Sequence, residues 1–313
     1  MKTVFQFPGQ GAQKEGMLRM IEADQPFVKE ILEQAAEILK EPVEGLDTAA
    51  KLSSSAYVQV AIFIAGIISA KRLMAENVEP DFVAGHSIGA FTASVISGAL
   101  SFEQALPVVF ARGQLMQRAY PTGYGMVALV GLSELTVKKY INAFNLTNNR
   151  KIYLANVNTA DQMVVAGAVD SIISFTGSIQ TTLLRKVKLL NMSVPSHCEL
   201  LQGVSDVLKG MLGTLVLREP SIPYLSNYNG RVLKSSDDIR TDLWKSVAHT
   251  VRWYDGTSLL YELGARVFIE LYPSGVLSKM TESSFPDAKV LAVQQGKEES
   301  IKWLWEHYQE QNV

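Results

Sequence analysis

The chain has 313 residues, with 29 basic and 31 acidic side chains and a formal net charge of −2. A hydrophobic content of 47% is enough for a large core, so the length allows one large domain or a large domain that carries an insert. The balanced charge, without a block of like charge, gives no electrostatic footprint for nucleic acid.

The start of the chain and its cysteine content favour a cytoplasmic protein. Gln6 and Pro8 interrupt the first apolar run too early for a signal peptide. The longest apolar run, residues 58–69, is well short of the roughly 20 residues that span a bilayer, so it predicts a buried helix and no membrane partner. Cys198 is the only cysteine, which excludes an intramolecular disulfide and a multi-cysteine zinc site.

Strands alternate with helices over the first part of the chain. The predicted strands are residues 3–7 and 82–85, and the predicted helices are residues 27–39, 56–75 and 88–99. This alternation, with a nearly continuous apolar strand at 82–85, favours a parallel sheet that is covered on both faces.

The pattern changes after residue 123 and returns after residue 194. Strand, helix, strand, strand, helix and strand are predicted at 126–130, 133–144, 152–156, 163–166, 170–183 and 187–192. That order is typical of a ferredoxin-like unit. Beyond it, strands are predicted at 222–225, 267–271 and 290–293, and a final helix at 301–309.

We therefore expect an α/β protein with a hydrolase-like, parallel-sheet large domain and an inserted ferredoxin-like α+β small domain. The large domain is predicted to be discontinuous, over residues 1–123 and 195–313, and the small domain to cover residues 124–194.

The most informative motif is Gly-His-Ser-Ile-Gly at residues 85–89. It follows a short apolar strand and precedes a helix, which is the context of a nucleophile elbow. The tight turn brings one chain segment against another where a Cβ would collide, hence the two glycines. The motif indicates a nucleophilic Ser87, and an ordinary glycine-rich turn is the alternative.

A serine hydroxyl needs a base, and histidine is the usual one near neutral pH. His197 directly follows the predicted insert, where the chain returns to the cleft between the domains, so we expect it to be the base. His249 is the reserve candidate or a support for His197. His86 adjoins the serine and should leave the elbow in another direction, so we expect a packing role for it.

Arg112 lies on the apolar stripe of a predicted helix that opens with a capping box at residues 101–104. A guanidinium that faces the interior is costly unless an anion meets it, and its planar fork suits a carboxylate. Either the protein supplies that carboxylate as an ion pair, or the substrate does.

An acyl-transfer site also needs hydrogen-bond donors for the tetrahedral oxyanion. The backbone N–H of Ile88, directly after the serine, is the expected first donor. The loop at residues 9–11, which contains Gln10, ends the first strand at the same edge of the sheet and could supply the second donor.

Four segments together resemble the malonyl-CoA:acyl carrier protein transacylase family. They are Phe-Pro-Gly-Gln-Gly at 7–11, Gly-His-Ser-Ile-Gly at 85–89, Arg-Gly-Gln-Leu-Met at 112–116 and Val-Pro-Ser-His at 194–197. All four occur in the family's order over nearly the whole chain, which is far more specific than one motif.

The resemblance implies a role for each candidate residue. Ser87 would be the nucleophile, His197 its base, Arg112 the clamp on the malonyl carboxylate, and the N–H groups of Gln10 and Ile88 the oxyanion hole. It implies that a backbone carbonyl near residues 246–249, rather than an acidic side chain, orients the histidine. It also implies malonyl-CoA as substrate, an acyl carrier protein as partner and no permanently bound cofactor.

The chain departs from relatives of fatty acid synthesis at two places. Ala90 and Phe91 follow the elbow where those relatives usually carry Glu and Tyr, and His249 stands where many carry Asn. Residues 85–91 and 120–126 look more like the transacylase (epsilon) subunit of bacterial malonate decarboxylase. In that case the acceptor would be the prosthetic thiol of that complex's own carrier subunit.

Three alternatives remain at this point. A transacylase of fatty acid or polyketide synthesis would use another carrier, and a serine thioesterase or hydrolase would release free acid to water. A carrier-docking subunit without activity would form no acyl-enzyme, and the presence of Ser87, His197 and Arg112 argues against it.

Overall fold

A computed structural model of the chain describes residues 1–19, 21–180, 183–192, 194–294 and 297–310. Within these residues the strands form two sheets. The larger sheet has six strands and the smaller has four.

The larger sheet is parallel except at one edge. Its strands are β1 (Lys2–Phe7), β2 (Phe82–Gly85), β7 (Tyr224–Leu225), β8 (Val232–Leu233), β9 (Ala265–Glu270) and β10 (Lys289–Ala292). Their order across the sheet is β10-β9-β1-β2-β7-β8, and β1 pairs in parallel with both β2 and β9. Among the described strands of this sheet, only β8 runs antiparallel, beside β7. The parallel sheet that the sequence predicts is confirmed, whereas the short β8 was not expected.

Helices cover both faces of this sheet. They are α1 (Pro26–Leu39), α2 (Ser55–Ala75), α3 (Gly89–Ile96), α4 (Phe102–Ala119), α7 (Gln202–Gly213), α8 (Ser236–Lys245), α9 (Trp253–Glu262), α10 (Leu277–Ser284) and α11 (Glu298–Glu310). Helix α2 has the length and apolar composition of a membrane span, but most of it is buried inside the protein. It therefore serves as a core helix of this fold.

The smaller sheet is antiparallel and carries two helices. Its elements are β3 (Tyr124–Val130), α5 (Glu134–Thr147), β4 (Ile152–Thr159), β5 (Gln162–Ala168), α6 (Val169–Ser178) and β6 (Lys186–Leu189). The strands lie in the order β4-β5-β3-β6. The element order and the antiparallel pairing match the predicted ferredoxin-like unit. Helix α6 ends before the predicted residue 183, and residues 181 and 182 lie outside the described ones. The domain boundaries at 123/124 and 194/195 stay a prediction.

Close packing of α2 against α4 sets the position of the candidate site. A Cβ on Gly113 would lie 2.4 Å from the Cα of Ala56, so only glycine allows this approach. The capping box at Ser101 and Gln104 opens α4, as the sequence predicts. Arg112, the residue before Gly113, is thereby held against α2.

Replacing Gly113 with alanine should separate the two helices. We expect Gly113→Ala to lower the free energy of unfolding by about 1–3 kcal/mol, as overpacking does. Gly210→Ala is the matched control, because Gly210 is also helical but its Cβ would meet nothing within 4 Å. The control should be neutral or stabilise by up to about 1 kcal/mol. Equal urea unfolding midpoints for both variants would contradict this packing.

Candidate active site

Ser87 stands at a tight turn between β2 and α3. Its φ is 56°, in the left-handed region. A Cβ on Gly85 would lie 2.0 Å from the carbonyl oxygen of Gly89, and one on Gly89 would lie 2.2 Å from that of Phe7. Both glycines are therefore required, and the turn has the geometry of a nucleophile elbow at the carboxyl edge of the sheet.

A side chain far away in the sequence holds this strained turn. Asn227 accepts a hydrogen bond from the Ser87 backbone N–H at 2.9 Å and donates one to the Gly85 carbonyl at 2.7 Å. The buried carboxylate of Asp242 in turn fixes the loop around Asn227, by accepting from the Ser226 hydroxyl and the Tyr228 N–H. The sequence analysis missed Asn227, because no local pattern marks it.

His197 lies against the serine. Its Nε2 is 2.7 Å from Ser87 Oγ, and its Nδ1 is 2.6 Å from the carbonyl oxygen of Ser246. Because a carbonyl can only accept, Nδ1 carries the proton, and the lone pair of Nε2 accepts the Ser87 hydroxyl. The orienting group is thus a backbone carbonyl within residues 246–249, where the family resemblance places it.

The surroundings keep this histidine neutral. Burial, together with the positive charge of Arg112, lowers the pKa of His197 to about 3. A neutral imidazole whose free lone pair points at a serine hydroxyl is arranged to accept its proton.

Arg112 is 1% exposed and converges on the same serine oxygen. Its Nη1 donates to Gln59 Oε1 at 2.5 Å, and its Nη2 donates to Ser87 Oγ at 3.3 Å. Among the residues that the structure describes, its Nε has no hydrogen-bond partner. Burial lowers the pKa of the guanidinium to about 10, so it stays protonated at neutral pH.

The protein does not neutralise this charge. Among the ion pairs of the described residues, none involves Arg112. The alternative that Arg112 forms a structural ion pair is therefore wrong for these residues. A buried cation without a carboxylate partner, 3.3 Å from Ser87 Oγ, favours an anionic ligand.

The two predicted oxyanion donors belong to the loop after β1 and to the residue that follows the serine. Gln10 lines the cleft with Ser87 and His197, in the loop after β1. The Ile88 side chain is fully buried, so only its backbone could serve the site. Within the described part of the chain, neither the Gln10 N–H nor the Ile88 N–H donates a turn, loop or side-chain hydrogen bond, which leaves both for a ligand.

The other two candidate histidines, His86 and His249, make different contacts. His86 Nε2 lies 3.2 Å from Asn158 Oδ1 and 3.3 Å from Asn156 Nδ2, so His86 joins the elbow to strand β4 of the small sheet. Its pKa is lowered to about 4 by burial. The ring of His249 packs edge-on against Tyr228, and its Nδ1 is 2.9 Å from the Lys245 carbonyl. The structure brings His197, not the reserve candidate His249, to the serine.

Ser87 opens into a cleft of about 840 Å³ between the two sheets. Apolar side chains of the small sheet, Met126, Ala128 and Val164, form one wall. Basic side chains line it as well: Arg185, Lys186, Lys188 and Lys279. No group of three or more His, Cys, Asp or Glu that could hold a metal ion occurs in the part of the chain that the structure describes.

Comparison with known proteins identifies the family. The model of the acyl transferase domain matches residues 4–307. The malonyl CoA-acyl carrier protein transacylase of Haemophilus influenzae is 30% identical, over 93% of this chain and 95% of the relative.

Solved structures agree with that relative. MCAT from Streptococcus pneumoniae superposes with a TM-score of 0.89 and 30% identity, over 96% of this chain and 98% of the other. PlMCAT, a malonyl-transacylase solved in complex with the type II PKS acyl-carrier protein AntF, gives a TM-score of 0.89 and 26% identity, over 95% and 97%. The chain is therefore an acyltransferase that belongs to the acyl transferase domain family and, within it, to the malonyl CoA-acyl carrier protein transacylases.

Proposed function

We propose that this acyltransferase moves a malonyl group from malonyl-CoA to the prosthetic thiol of an acyl carrier protein, through a malonyl ester on Ser87. One observation carries the choice of acyl group: the unpaired guanidinium of Arg112 lies 3.3 Å from Ser87 Oγ. Of the common acyl groups, malonyl carries a free carboxylate besides its thioester carbonyl, and this cation would bind that carboxylate.

The first half-reaction forms the ester. His197 Nε2 takes the proton of Ser87 as Oγ attacks the thioester carbonyl carbon. The carbonyl oxygen becomes an oxyanion, which the N–H groups of Gln10 and Ile88 stabilise. When the carbon–sulfur bond breaks, His197 returns its proton to the leaving thiolate, and free CoA departs.

The second half-reaction runs the same steps with another thiol. His197 takes the proton of the carrier's thiol, whose sulfur attacks the malonyl ester. The bond to Ser87 Oγ breaks, and His197 returns the proton to the serine. Arg112 holds the malonyl carboxylate in both halves, so the acyl group keeps one position.

The rim of the cleft suits both thiol substrates. Arg185 pairs with Asp161, whereas Lys186, Lys188 and Lys279 have no ion pair with the described carboxylates. Three free ammonium groups would attract the phosphates of CoA and an acidic carrier surface.

For the acceptor we propose the carrier subunit of malonate decarboxylase, on the resemblance of residues 85–91 and 120–126. Ala90 and Phe91 are each 1% exposed in α3, so they pack in the core and do not touch the acceptor. The relatives compared above are named for acyl carrier protein, and one was solved with a type II PKS carrier, which makes a carrier of fatty acid or polyketide synthesis the alternative.

Removing the arginine should affect malonyl transfer selectively. We expect Arg112→Ala to lower kcat/KM for malonyl-CoA about 100-fold or more and to affect acetyl-CoA much less, because malonyl carries a free carboxylate and acetyl carries none. Arg72→Ala, which removes an arginine paired with Asp24, is the control and should leave the malonyl-to-acetyl ratio unchanged. An equal loss for both substrates in Arg112→Ala would refute the clamp.

The lowered pKa of His197 makes the base resistant to acid. The base works in its neutral form, so a pKa near 3 keeps it active as pH falls through the usual histidine value of 6.5. We expect the rate at which a neutral sulfonyl fluoride modifies Ser87 to stay level from about pH 8 to about pH 5. A half-loss near pH 6.5 would contradict the arrangement of His197.

The acceptor is tested by direct competition. Malonyl-CoA is offered with two carriers in their thiol forms, one from fatty acid synthesis and one from malonate decarboxylase. The proposal expects the higher kcat/KM for the decarboxylase carrier, measured by carrier mass. A preference for the other carrier would overturn the choice of acceptor and leave the proposed malonyl transfer intact.

A further inference from the structure

Gln59 is the side chain that holds Arg112 in place. It lies on α2, is fully buried, and its Oε1 accepts the hydrogen bond of Arg112 Nη1 at 2.5 Å. Its Nε2 lies 3.5 Å from Met116 Sδ, on the helix that carries Arg112. The amide therefore bridges α2 and α4, and its oxygen faces the cation.

The Gln59 amide is uncharged, so it leaves the positive charge of Arg112 in place. Buried guanidinium groups are usually met by carboxylates, which hold them equally well but cancel their charge. An amide oxygen orients Arg112 without neutralising it. Within the described residues Nε has no hydrogen-bond partner, and Nη2 makes only the 3.3 Å contact to Ser87 Oγ, so no carboxylate of these residues competes for the cation.

We infer that Gln59 is a positioning residue that sets the selectivity for carboxylated acyl groups, because its uncharged oxygen orients Arg112 and leaves the cation's charge for the substrate. The inference rests on the proposed malonyl transfer. Gln59 would thus act on the choice of acyl group through Arg112.

The positive charge of Arg112 also affects the pKa of His197, so the pH dependence of Ser87 acylation gives a second measurement. The titratable and charged groups that face His197 are Arg112 and His86, beside the Ser246 carbonyl. The charge of Arg112 lowers the pKa of His197, so cancelling it should raise that pKa. The acidic limb of Ser87 acylation would then move to higher pH.

The test replaces the amide with a carboxylate of the same shape. In Gln59→Glu the new carboxylate neutralises Arg112, and we expect the malonyl-to-acetyl ratio of kcat/KM to fall about 100-fold. The acidic limb of the pH–rate profile for acylation of Ser87 by acetyl-CoA should also move to higher pH. Gln59→Met, which removes the acceptor but adds no charge, should reduce the ratio about tenfold and leave that limb in place.

A matched control separates charge at this position from any buried charge. Gln6 is also a fully buried glutamine, on β1, where its side chain exchanges hydrogen bonds with Thr281. Gln6→Glu should lower the thermal midpoint while the malonyl-to-acetyl ratio stays at the wild-type value. A ratio in Gln59→Glu equal to that of wild type would overturn the inference.

Failure of the inference differs from failure of the proposed function. If the wild-type enzyme forms no malonyl ester, the proposed function is wrong and the inference falls with it. If the wild type prefers malonyl strongly and Gln59→Glu keeps that preference, only the role of Gln59 is wrong. If Gln59→Glu is unfolded by circular dichroism, the Gln59→Met ratio decides, and a wild-type ratio there contradicts the inference.

Discussion

The buried, unpaired charge of Arg112 is the constraint around which the site is arranged. Close packing of α2 and α4 at Gly113 places the guanidinium beside Gln59 and within 3.3 Å of Ser87 Oγ. An uncompensated cation in a core is costly, and a fold keeps such a group where a ligand meets it. The same charge helps to hold His197 neutral, so Arg112 and His197 are coupled by electrostatics.

A second constraint is the strained elbow, which the large domain supports from the far end of the chain. Asn227 forms hydrogen bonds with the Ser87 N–H and with the Gly85 carbonyl. Asp242 in turn fixes the loop that carries Asn227. His86 connects the elbow to β4, so the small sheet is held in a fixed relation to the nucleophile. Asn156 and Asn158, which make these contacts to His86, also line the cleft beside Ser87.

The sequence predicted those features whose signals are local. The strand, the glycines and the serine of the elbow are contiguous in the sequence. The burial of Arg112 could be predicted from the spacing of apolar residues within a single helix. Asn227 and Gln59 lie 140 and 53 residues from the groups they bind, and no periodic pattern connects such pairs. Likewise, the sequence could not tell that Ala90 and Phe91 face the core, because α3 is buried nearly all round.

The most direct measurement is the mass of the intact enzyme after brief mixing with equal amounts of malonyl-CoA and acetyl-CoA, followed over time. The account predicts a malonyl ester on Ser87 as the main adduct, which persists until a carrier thiol is added. Equal malonyl and acetyl adducts would contradict the role of the unpaired Arg112, and rapid release of free malonate without a thiol would indicate a hydrolase.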